Sequence, residues 1–273
     1  MALTVNTNIA SLNAQRNLAT NQAGLSTVFQ RLSSGLRVNS AKDDAAGLAV
    51  AEGLSSLVRG NSVALRNAND GISVGQTADG ALGQIANNLQ RIREIAVQSA
   101  NGSISNDQRG YLQREVTQLT DEIKRVVDGT EFNSTKLLNG SQTTISVQVG
   151  SGAQSTDSIN VNLADMTGLT AYQAFDVSSA SAANQALGTI DTDLTTVIGA
   201  RADFGAVQNR FDAVISNLQT YNENLSAARG RIVDADFAAE TASLTRGQIL
   251  QQASTAILAQ ANALPQNALT LLK

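Results

Sequence analysis

A single proline in 273 residues leaves long, uninterrupted α-helices possible along almost the whole chain. The spacing of apolar residues shows where such helices lie. From Leu187 to Ile232 the pattern advances in alternating steps of three and four residues over more than six heptads. This period is typical of a coiled-coil helix. At 1.5 Å per residue, the helix is roughly 70 Å long.

Two earlier segments have the same helical spacing. The first begins after the capping sequence Ser40–Asp44 and ends at the turn dipeptide Asn101-Gly102. The second covers Leu112–Val126 and is shorter. Three long helices are therefore available to pack against one another.

The period changes between these helices and the last one. Apolar and polar residues alternate in residues 145–149 and again in residues 159–163, on either side of a Gly- and Ser-rich segment. This pattern predicts a β-hairpin with a long loop. Residues 166–186 are rich in Ala, Ser, Thr and Gly, and we expect exposed, irregular structure there.

The two ends of the chain have helical spacing but almost no charge. Residues 1–30 contain one charged side chain, Arg16, and residues 236–273 contain four. An ordinary amphipathic helix has a charged face opposite its apolar stripe, whereas here that face consists of Ala, Gln, Asn, Ser and Thr. Such helices suit burial on several sides, which two ends of one molecule cannot give each other. We infer that identical chains surround them and that alone they are poorly ordered.

The apolar stripes of the two ends provide the residues that we expect to pack in an assembled core. They are Ile9, Leu12, Leu25, Leu32, Leu250, Ile257, Leu264 and Leu271. We divide the chain into an inner terminal coiled-coil domain of residues 1–43 and 235–273, and a helical-bundle domain of residues 44–234. The hairpin and a short variable segment lie at about residues 131–186. The predicted fold is mainly α, a long coiled-coil bundle with a terminal helix pair and a small β-hairpin excursion.

Composition excludes several kinds of chemistry. The chain contains no His and no Cys, which rules out the usual zinc sites, Ser-His-Asp and Cys-His catalysis, and disulfides. A net charge of −4 argues against binding to a phosphate backbone. There is neither an apolar run long enough to span a membrane nor the pattern of a cleaved signal peptide. We expect no cofactor, metal, nucleic-acid or membrane partner and no enzymatic activity, and we interpret Asp43-Asp44 as a helix cap.

Three segments resemble a known family. Met1–Gln15 and Arg31–Ala49 resemble the amino-terminal region of bacterial flagellins, and Leu258–Lys273 resembles their carboxyl terminus. The likeness covers roughly residues 1–140 and 185–273. The middle of the chain is shorter than in the larger flagellins, which insert outer domains there.

The resemblance implies a structural subunit that polymerises into the extracellular helical filament of the bacterial flagellum for swimming motility. It implies export of the unfolded chain by the flagellar type III apparatus, without a cleaved signal peptide. The expected partners are further copies of the chain, the flagellar cap, hook–filament junction proteins and an export chaperone. A hook–filament junction protein of the same superfamily is the alternative, because it shares the terminal pattern.

A finer likeness concerns host recognition. Arg91, Ile95 and Glu115 fall on positions of the motif by which flagellins contact a Toll-like receptor, and we expect Gln90 to be a neighbour in that contact. An arginine and a carboxylate beside an exposed aliphatic side chain suit the centre of an interface. The same charges equally suit salt bridges between helices or subunits, and both roles are compatible with the sequence.

Overall fold

The computed structural model of the chain describes residues 7–270, and for residues 264–270 it describes the backbone alone. Six helices account for most of this length, which confirms the mainly α fold. The helices are α1 (Ile9–Ser34), α2 (Ala45–Ala100), α3 (Asn106–Gly129), α4 (Thr170–Gln173), α5 (Ala180–Val233) and α6 (Phe237–Thr270). The strands are β1 (Glu131–Phe132), β2 (Thr135–Lys136), β3 (Thr144–Gln148) and β4 (Ser158–Asn162).

The chain divides into two compact units. The terminal unit contains the described residues up to Ser56 and those from Glu223 onward, and the bundle unit contains Leu57–Asn222. These boundaries lie inside α2 and α5, whereas the sequence-based division kept both helices whole. The difference has a local cause: Val38, between α1 and α2, is buried together with Ala51 of α2 and Val233 of α5.

Helix caps account for the acidic pair before α2. The Asp44 carboxylate accepts a hydrogen bond from the Gly47 backbone N–H (2.8 Å), which is N-cap geometry. Asp43 accepts from the Ser40 hydroxyl and from the Ser40 backbone N–H, and these bonds hold the pKa of Asp43 below its usual value. No group of acidic side chains among the described residues is arranged to hold a metal ion.

Buried apolar side chains from α2, α3 and α5 form the core of the bundle unit. On α5 the fully buried positions are seven residues apart, as the heptad pattern predicts: Ile190, Val197, Phe204 and Phe211. Gly71 of α2 lies against the Phe211 ring, and a Cβ there would lie 2.6 Å from the ring. The heptad residue Arg201 lies at the edge of this seam and pairs with Asp79 (2.7 Å).

The predicted β-hairpin is present. β3 and β4 pair antiparallel, with Ile145 opposite Val161 and Val147 opposite Ile159. A second, shorter hairpin of β1 and β2 was not predicted. Its turn residues Asn133 and Ser134 have positive φ angles (47° and 64°), which is the geometry of a tight two-residue turn.

The expectation of exposed, irregular structure in residues 166–186 is wrong. Met166, Leu169, Phe175 and Val177 are each at most 3% exposed and belong to the main core. Their backbone is held by distant polar side chains. Ser99 donates to the Val177 carbonyl (2.6 Å), and these long-range contacts leave no periodic pattern in the sequence.

The length and hydropathy of the helices bear on whether one could span a membrane. Within residues 7–270, none combines the length and the apolar character needed to cross a bilayer.

Candidate functional site

The terminal helices α1 and α6 pack antiparallel against each other. Asn8 near the start of α1 donates to the Ala261 carbonyl near the end of α6 (2.7 Å). Further along, Asn21 donates to the Gly247 carbonyl (2.9 Å). A side chain of one helix therefore binds the backbone of the other at two places, which fixes the register of the pair.

Hydrogen bonds and one ion pair complete this seam. The Ser11 hydroxyl donates to the Asn262 side-chain oxygen (2.7 Å). At the opposite end, Arg31 pairs with Glu240 (3.1 Å), whose side chain is 13% exposed. The face that joins the two helices is thus unusually polar.

Small residues let the two helices approach closely. Leu25 of α1 packs against Gly247 of α6, where a Cβ would lie 2.9 Å from the leucine side chain. Among the side chains of the two helices that the structure describes, Ala14 and Ala261 are the other buried apolar ones. Contacts through Gly and Ala bury little apolar area, so hydrogen bonds contribute a large part of this seam.

Several large apolar side chains of the two helices point outward instead. Ile9 is 71% exposed and Leu12 is 53% exposed on α1, while Leu250 is 49% and Ile257 is 60% exposed on α6. Other exposed apolar residues in the two helices are Phe29, Phe237 and Ile249. We call these residues together the outward apolar faces of the terminal pair.

These exposures locate the residues that the sequence assigned to core packing. Leu25 is buried between α1 and α6, and Leu32 is half-buried. Ile9, Leu12, Leu250 and Ile257 are exposed within one chain. The side chain of Leu264 and all of Leu271 lie outside the described residues. The exposed part of the apolar stripe is not what pairs α1 with α6, because that seam holds small and amide side chains together with Leu25.

An exposed apolar surface of this kind has a physical consequence. Moving one large aliphatic or aromatic side chain from water into a packed interface stabilises that interface by about 1.5–3 kcal/mol. Contiguous apolar patches on soluble proteins mark interaction surfaces. With almost no charge on either helix, the outward apolar faces can be covered by apolar surface without burying an unpaired ion.

A second candidate surface lies on α2 and α3 in the bundle unit. Arg91 of α2 donates to Glu115 of α3 through two nitrogens (2.9 and 2.7 Å) and to Glu94 (2.9 Å). Hydrogen bonds to Glu115, then to Glu94, raise the pKa of the Arg91 guanidinium. All three side chains and Gln90 are exposed. The structure therefore brings Gln90, Arg91 and Glu115 to one surface.

Ile95 does not share this exposure. It is fully buried, on the same face of α2 as Leu89 and Ile92, so the expectation of an exposed aliphatic residue at position 95 is wrong. The three- and four-residue spacing of that face was visible in the sequence and could have shown this. The exposed aliphatic side chain in this segment is Val97 (52%), which sequence reasoning missed.

Comparison with known families decides what kind of protein has this terminal pair. Residues 5–143 match the bacterial flagellin N-terminal helical region, and residues 187–272 match the bacterial flagellin C-terminal helical region. The chain is a member of the bacterial flagellin family. The matched regions contain both helices of the terminal pair and most of the bundle.

Curated flagellins match this flagellin from end to end. It is 43% identical over 270 residues to a flagellin of Halalkalibacterium halodurans, covering 98% of this chain and 99% of that one. It is also 43% identical over 313 residues to a flagellin of Xenorhabdus nematophila, with all of both chains covered. Flagellins are structural proteins of the extracellular flagellar filament and not enzymes, so the predicted family and the absence of enzymatic activity are confirmed.

Solved structures agree with this assignment. The crystal structure of Bacillus cereus flagellin matches with a TM-score of 0.52 and 30% identity, covering 60% of this chain and 94% of that one. A putative flagellar hook-associated protein from Vibrio parahaemolyticus has a TM-score of 0.61 at 16% identity, covering 70% of this chain and all of that one. At 16% identity the second likeness concerns the fold alone.

Proposed function

We propose that the outward apolar faces of α1 and α6 are the surfaces through which copies of this flagellin pack in the core of a helical filament. Filament formation itself follows from the family. The exposure of Ile9, Leu12, Leu250 and Ile257 in the single chain is the observation that supports these faces as the contact surfaces. Against the side chains of residues 7–263, which the structure describes, these faces stay exposed, and further copies carry the same apolar surface.

The terminal pair has two kinds of surface, one for pairing α1 with α6 and one for contact between subunits. The polar seam fixes the register of α1 against α6, since its hydrogen bonds depend on the positions of Asn8, Asn21 and Gly247. The outward apolar faces depend less on exact pairing, because apolar contact is not directional. A subunit can therefore keep its helix pair while neighbouring subunits shift slightly along it.

Truncation tests whether the terminal pair is the assembly element. A chain without residues 236–273 should form no filaments after ammonium sulfate seeding, whereas the full chain forms long tubes visible by electron microscopy. Circular dichroism of the truncated chain should retain the helical signal of the bundle unit. Filaments from the truncated chain would refute the proposal.

The same experiment separates the filament subunit from the hook–filament junction alternative. A junction protein shares the terminal helices but does not polymerise by itself. If the intact chain stays monomeric under seeding, the result would favour the junction-protein alternative. The fold of the chain is similar to that of the putative flagellar hook-associated protein from Vibrio parahaemolyticus.

We also propose that the chain is exported unfolded by the flagellar type III apparatus and added beneath the flagellar cap, with a chaperone and hook–filament junction proteins as further partners. Membership in the flagellin family supports this route. In a strain that lacks its own flagellin, secretion of this chain into the medium should require the flagellar export apparatus. Secretion that continues without that apparatus would contradict it.

A second function is favoured by the surface around Arg91. We propose that Gln90, Arg91 and Glu115 contact a Toll-like flagellin receptor of hosts, with Ile95 supporting this surface from the core beneath. Arg91→Ala should weaken receptor signalling by depolymerised protein. Arg125→Ala is the control, because Arg125 is also exposed and pairs with a nearby glutamate, Glu122 (2.6 Å). An unchanged dose response of receptor signalling for Arg91→Ala would contradict the proposal.

A further inference from the structure

The tripeptide Asn-Gly-Ser occurs twice in the bundle unit, at residues 101–103 and 139–141, and both copies lie outside the helices and strands. An asparagine before a glycine can lose its side-chain amide, because no Cβ shields the glycine nitrogen from reaction. We propose that Asn101 is a modification site, where the Gly102 nitrogen displaces the side-chain amide to leave Asp or isoaspartate, and that the fold makes this reaction faster at Asn101 than at Asn139. The reaction needs only the folded bundle unit, not a filament.

Water and hydroxide are the other reactants of this modification. Hydroxide takes the proton of the Gly102 N–H, and the nitrogen attacks Cγ of Asn101 to close a succinimide ring. The bond between Cγ and the side-chain nitrogen breaks, and that nitrogen leaves as ammonia after taking a proton from water, which returns the hydroxide. A second water opens the ring at either carbonyl carbon, giving Asp or isoaspartate. Overall, one water is consumed and one ammonia is released, with no change in oxidation state.

The backbone carbonyl of Asn101 supplies the first observation. It accepts a hydrogen bond from Arg109 Nη2 (2.9 Å) and another from the Ile104 backbone N–H (3.3 Å). This carbonyl belongs to the same peptide group as the Gly102 nitrogen. Donors at the oxygen therefore stabilise the anion that forms when the nitrogen loses its proton, and a charged donor does so most strongly.

Arg109 is held firmly at this peptide group. It is 7% exposed, and its other nitrogens donate to the Ser99 carbonyl (2.9 Å) and to the Asn106 side-chain oxygen (3.0 Å). All three guanidinium nitrogens thus bind uncharged oxygens, so no carboxylate bonded to them offsets the positive charge. A fixed, buried cation stabilises a developing anion more than a mobile cation in water does.

The side chain of Asn101 is placed for the attack. Its Oδ1 atom accepts a hydrogen bond from the Ser103 backbone N–H (3.1 Å), and this contact folds the carboxamide back along the Gly102 peptide. The same bond stabilises the negative oxygen that forms when Cγ is attacked. Within residues 7–270 the Gly102 N–H donates to no acceptor. Asn101 and Gly102 are both exposed to the water that the reaction consumes.

Asn139 has the same tripeptide but the opposite electrostatic surroundings. Its Oδ1 atom accepts from the Ser141 backbone N–H (3.1 Å), but no donor in the described part of the chain reaches its backbone carbonyl. The Asp165 carboxylate packs against Gly140, where a Cβ would lie 2.7 Å from it. Hydrogen bonds from Thr167 lower the pKa of Asp165. A negative charge therefore lies beside the nitrogen that must lose a proton, which slows the reaction.

The rates of amide loss in the folded and the unfolded chain test the proposal. The full-length monomer is incubated in mildly alkaline buffer with and without guanidinium chloride. Peptide mapping by mass spectrometry then measures the conversion at Asn101 and at Asn139, each of which adds one mass unit. In the folded chain Asn101 should convert at least about tenfold faster than Asn139, as expected when a fixed charged donor assists the step. In guanidinium chloride the two rates should be similar, because the tripeptides are identical.

Equal rates in the folded chain, or a faster Asn139, would overturn the proposal. A preference for Asn101 that is just as large in guanidinium chloride would also overturn it, since the fold would then not be the cause.

Replacement of Arg109 tests the source of the difference. Arg109→Gln should slow conversion at Asn101 at least about tenfold and leave Asn139 unchanged. Arg114→Gln removes the same charge from an exposed site on α3 and should change neither rate. Asp165→Asn should speed conversion at Asn139 and leave Asn101 unchanged. Circular dichroism establishes that each variant is folded, and if Arg109→Gln does not fold, the comparison of the folded and unfolded unaltered chain decides. An unchanged rate at Asn101 in folded Arg109→Gln would contradict the assignment.

Discussion

The terminal helix pair and the bundle unit differ in whether their large apolar side chains are buried or exposed. In the bundle, Phe204 and Phe211 are buried and charged pairs such as Arg201–Asp79 lie on the surface. In the terminal pair, amides and hydroxyls lie in the seam beside Leu25, while Ile9 and Ile257 face outward. The core of the bundle is thus formed within its own chain, whereas we propose that the terminal pair is completed by other copies.

The comparison separates folding from assembly. A mutation in the bundle core should alter the stability of the single chain, because its apolar contacts are already formed there. A mutation on the outward apolar faces should leave the single chain nearly unchanged and act on the polymer. The following predictions test this separation, from the largest expected effect to the smallest.

Ile257→Asp should abolish filament formation, because it introduces a charge into an interface that has few partners for it. The unfolding free energy of the monomer should change by no more than about 0.5 kcal/mol, since the side chain is 60% exposed. Ser141→Asp adds the same charge at an exposed loop residue and should polymerise normally. Sedimentation after seeding measures the polymerisation of both variants. Equal polymerisation would show that the face around Ile257 does not contact other copies.

Phe204→Ala should destabilise the monomer by about 3–5 kcal/mol, because it leaves a cavity in the bundle core where Phe204 is 1% exposed. Ile198→Ala on the same helix is the matched control. Ile198 is 56% exposed and should cost about 0.5 kcal/mol or less. Urea unfolding of monomers gives both values, and similar costs would contradict the placement of the core.

Gly247→Ala and Gly24→Ala should have opposite effects on the terminal pair. A Cβ at Gly247 meets Leu25 at 2.9 Å, whereas a Cβ at Gly24 meets nothing within 4 Å. Alanine favours the helix at both sites. Overpacking at Gly247 should nevertheless make the α1–α6 pair of Gly247→Ala less stable than that of Gly24→Ala by about 1–3 kcal/mol. Hydrogen exchange of the α1 amides measures the difference in filaments, because the terminal helices of the lone chain are expected to be poorly ordered. Equal protection in both variants would show that α1 and α6 do not approach closely at Gly247.

The smallest effect concerns carboxyl groups in the bundle unit. Burial raises the pKa of Asp193, although the backbone N–H groups of Ala171 and Thr170 oppose the shift. Hydrogen bonds from Thr167 lower the pKa of Asp165. The contribution of Asp165 to stability is therefore present above its unfolded pKa and lost as the pH falls through its folded pKa. Asp193 has the opposite sign, so its charged form costs stability as the pH rises through its folded pKa.

Carbon-13 chemical shifts of the two carboxyl carbons give both titrations directly. Asp193 should titrate above the ordinary range of an aspartate, and Asp165 should titrate below it. The reverse order would mean that Asp193 is not buried against α4.

The sequence predicted the bundle better than the terminal pair for a physical reason. Burial of apolar side chains sets the seven-residue spacing of Ile190, Val197 and Phe204, and such spacing is readable from one sequence. Apart from Leu25, the seam of α1 and α6 is built mainly from Asn, Ser, Gly and Ala residues. Their hydrogen bonds leave no apolar period, so the visible stripe through Leu250 and Ile257 turned out to be the outward face.

Other parts of the structure depend on contacts between distant positions. Leu169 and Phe175 are buried because α4 is capped by Asp193 and the following loop is held by Gln113. A local pattern of small residues cannot reveal this. At the surface around Arg91, the sequence left open salt bridges between helices as one of two roles, and the structure contains one, to Glu115, whereas the expected exposure of Ile95 was wrong.

The absence of cysteine from the chain makes possible a direct measurement of the central claim. Ala253→Cys places one thiol on the exposed face of α6 between Leu250 and Ile257, and Ser141→Cys places one in an exposed loop as the control. The rate of maleimide labelling is compared in monomers and in filaments. Ala253→Cys should be labelled rapidly in monomers and at least about tenfold more slowly in filaments, while Ser141→Cys is labelled rapidly in both. Rapid labelling of Ala253→Cys in intact filaments would contradict burial of the outward apolar faces between copies.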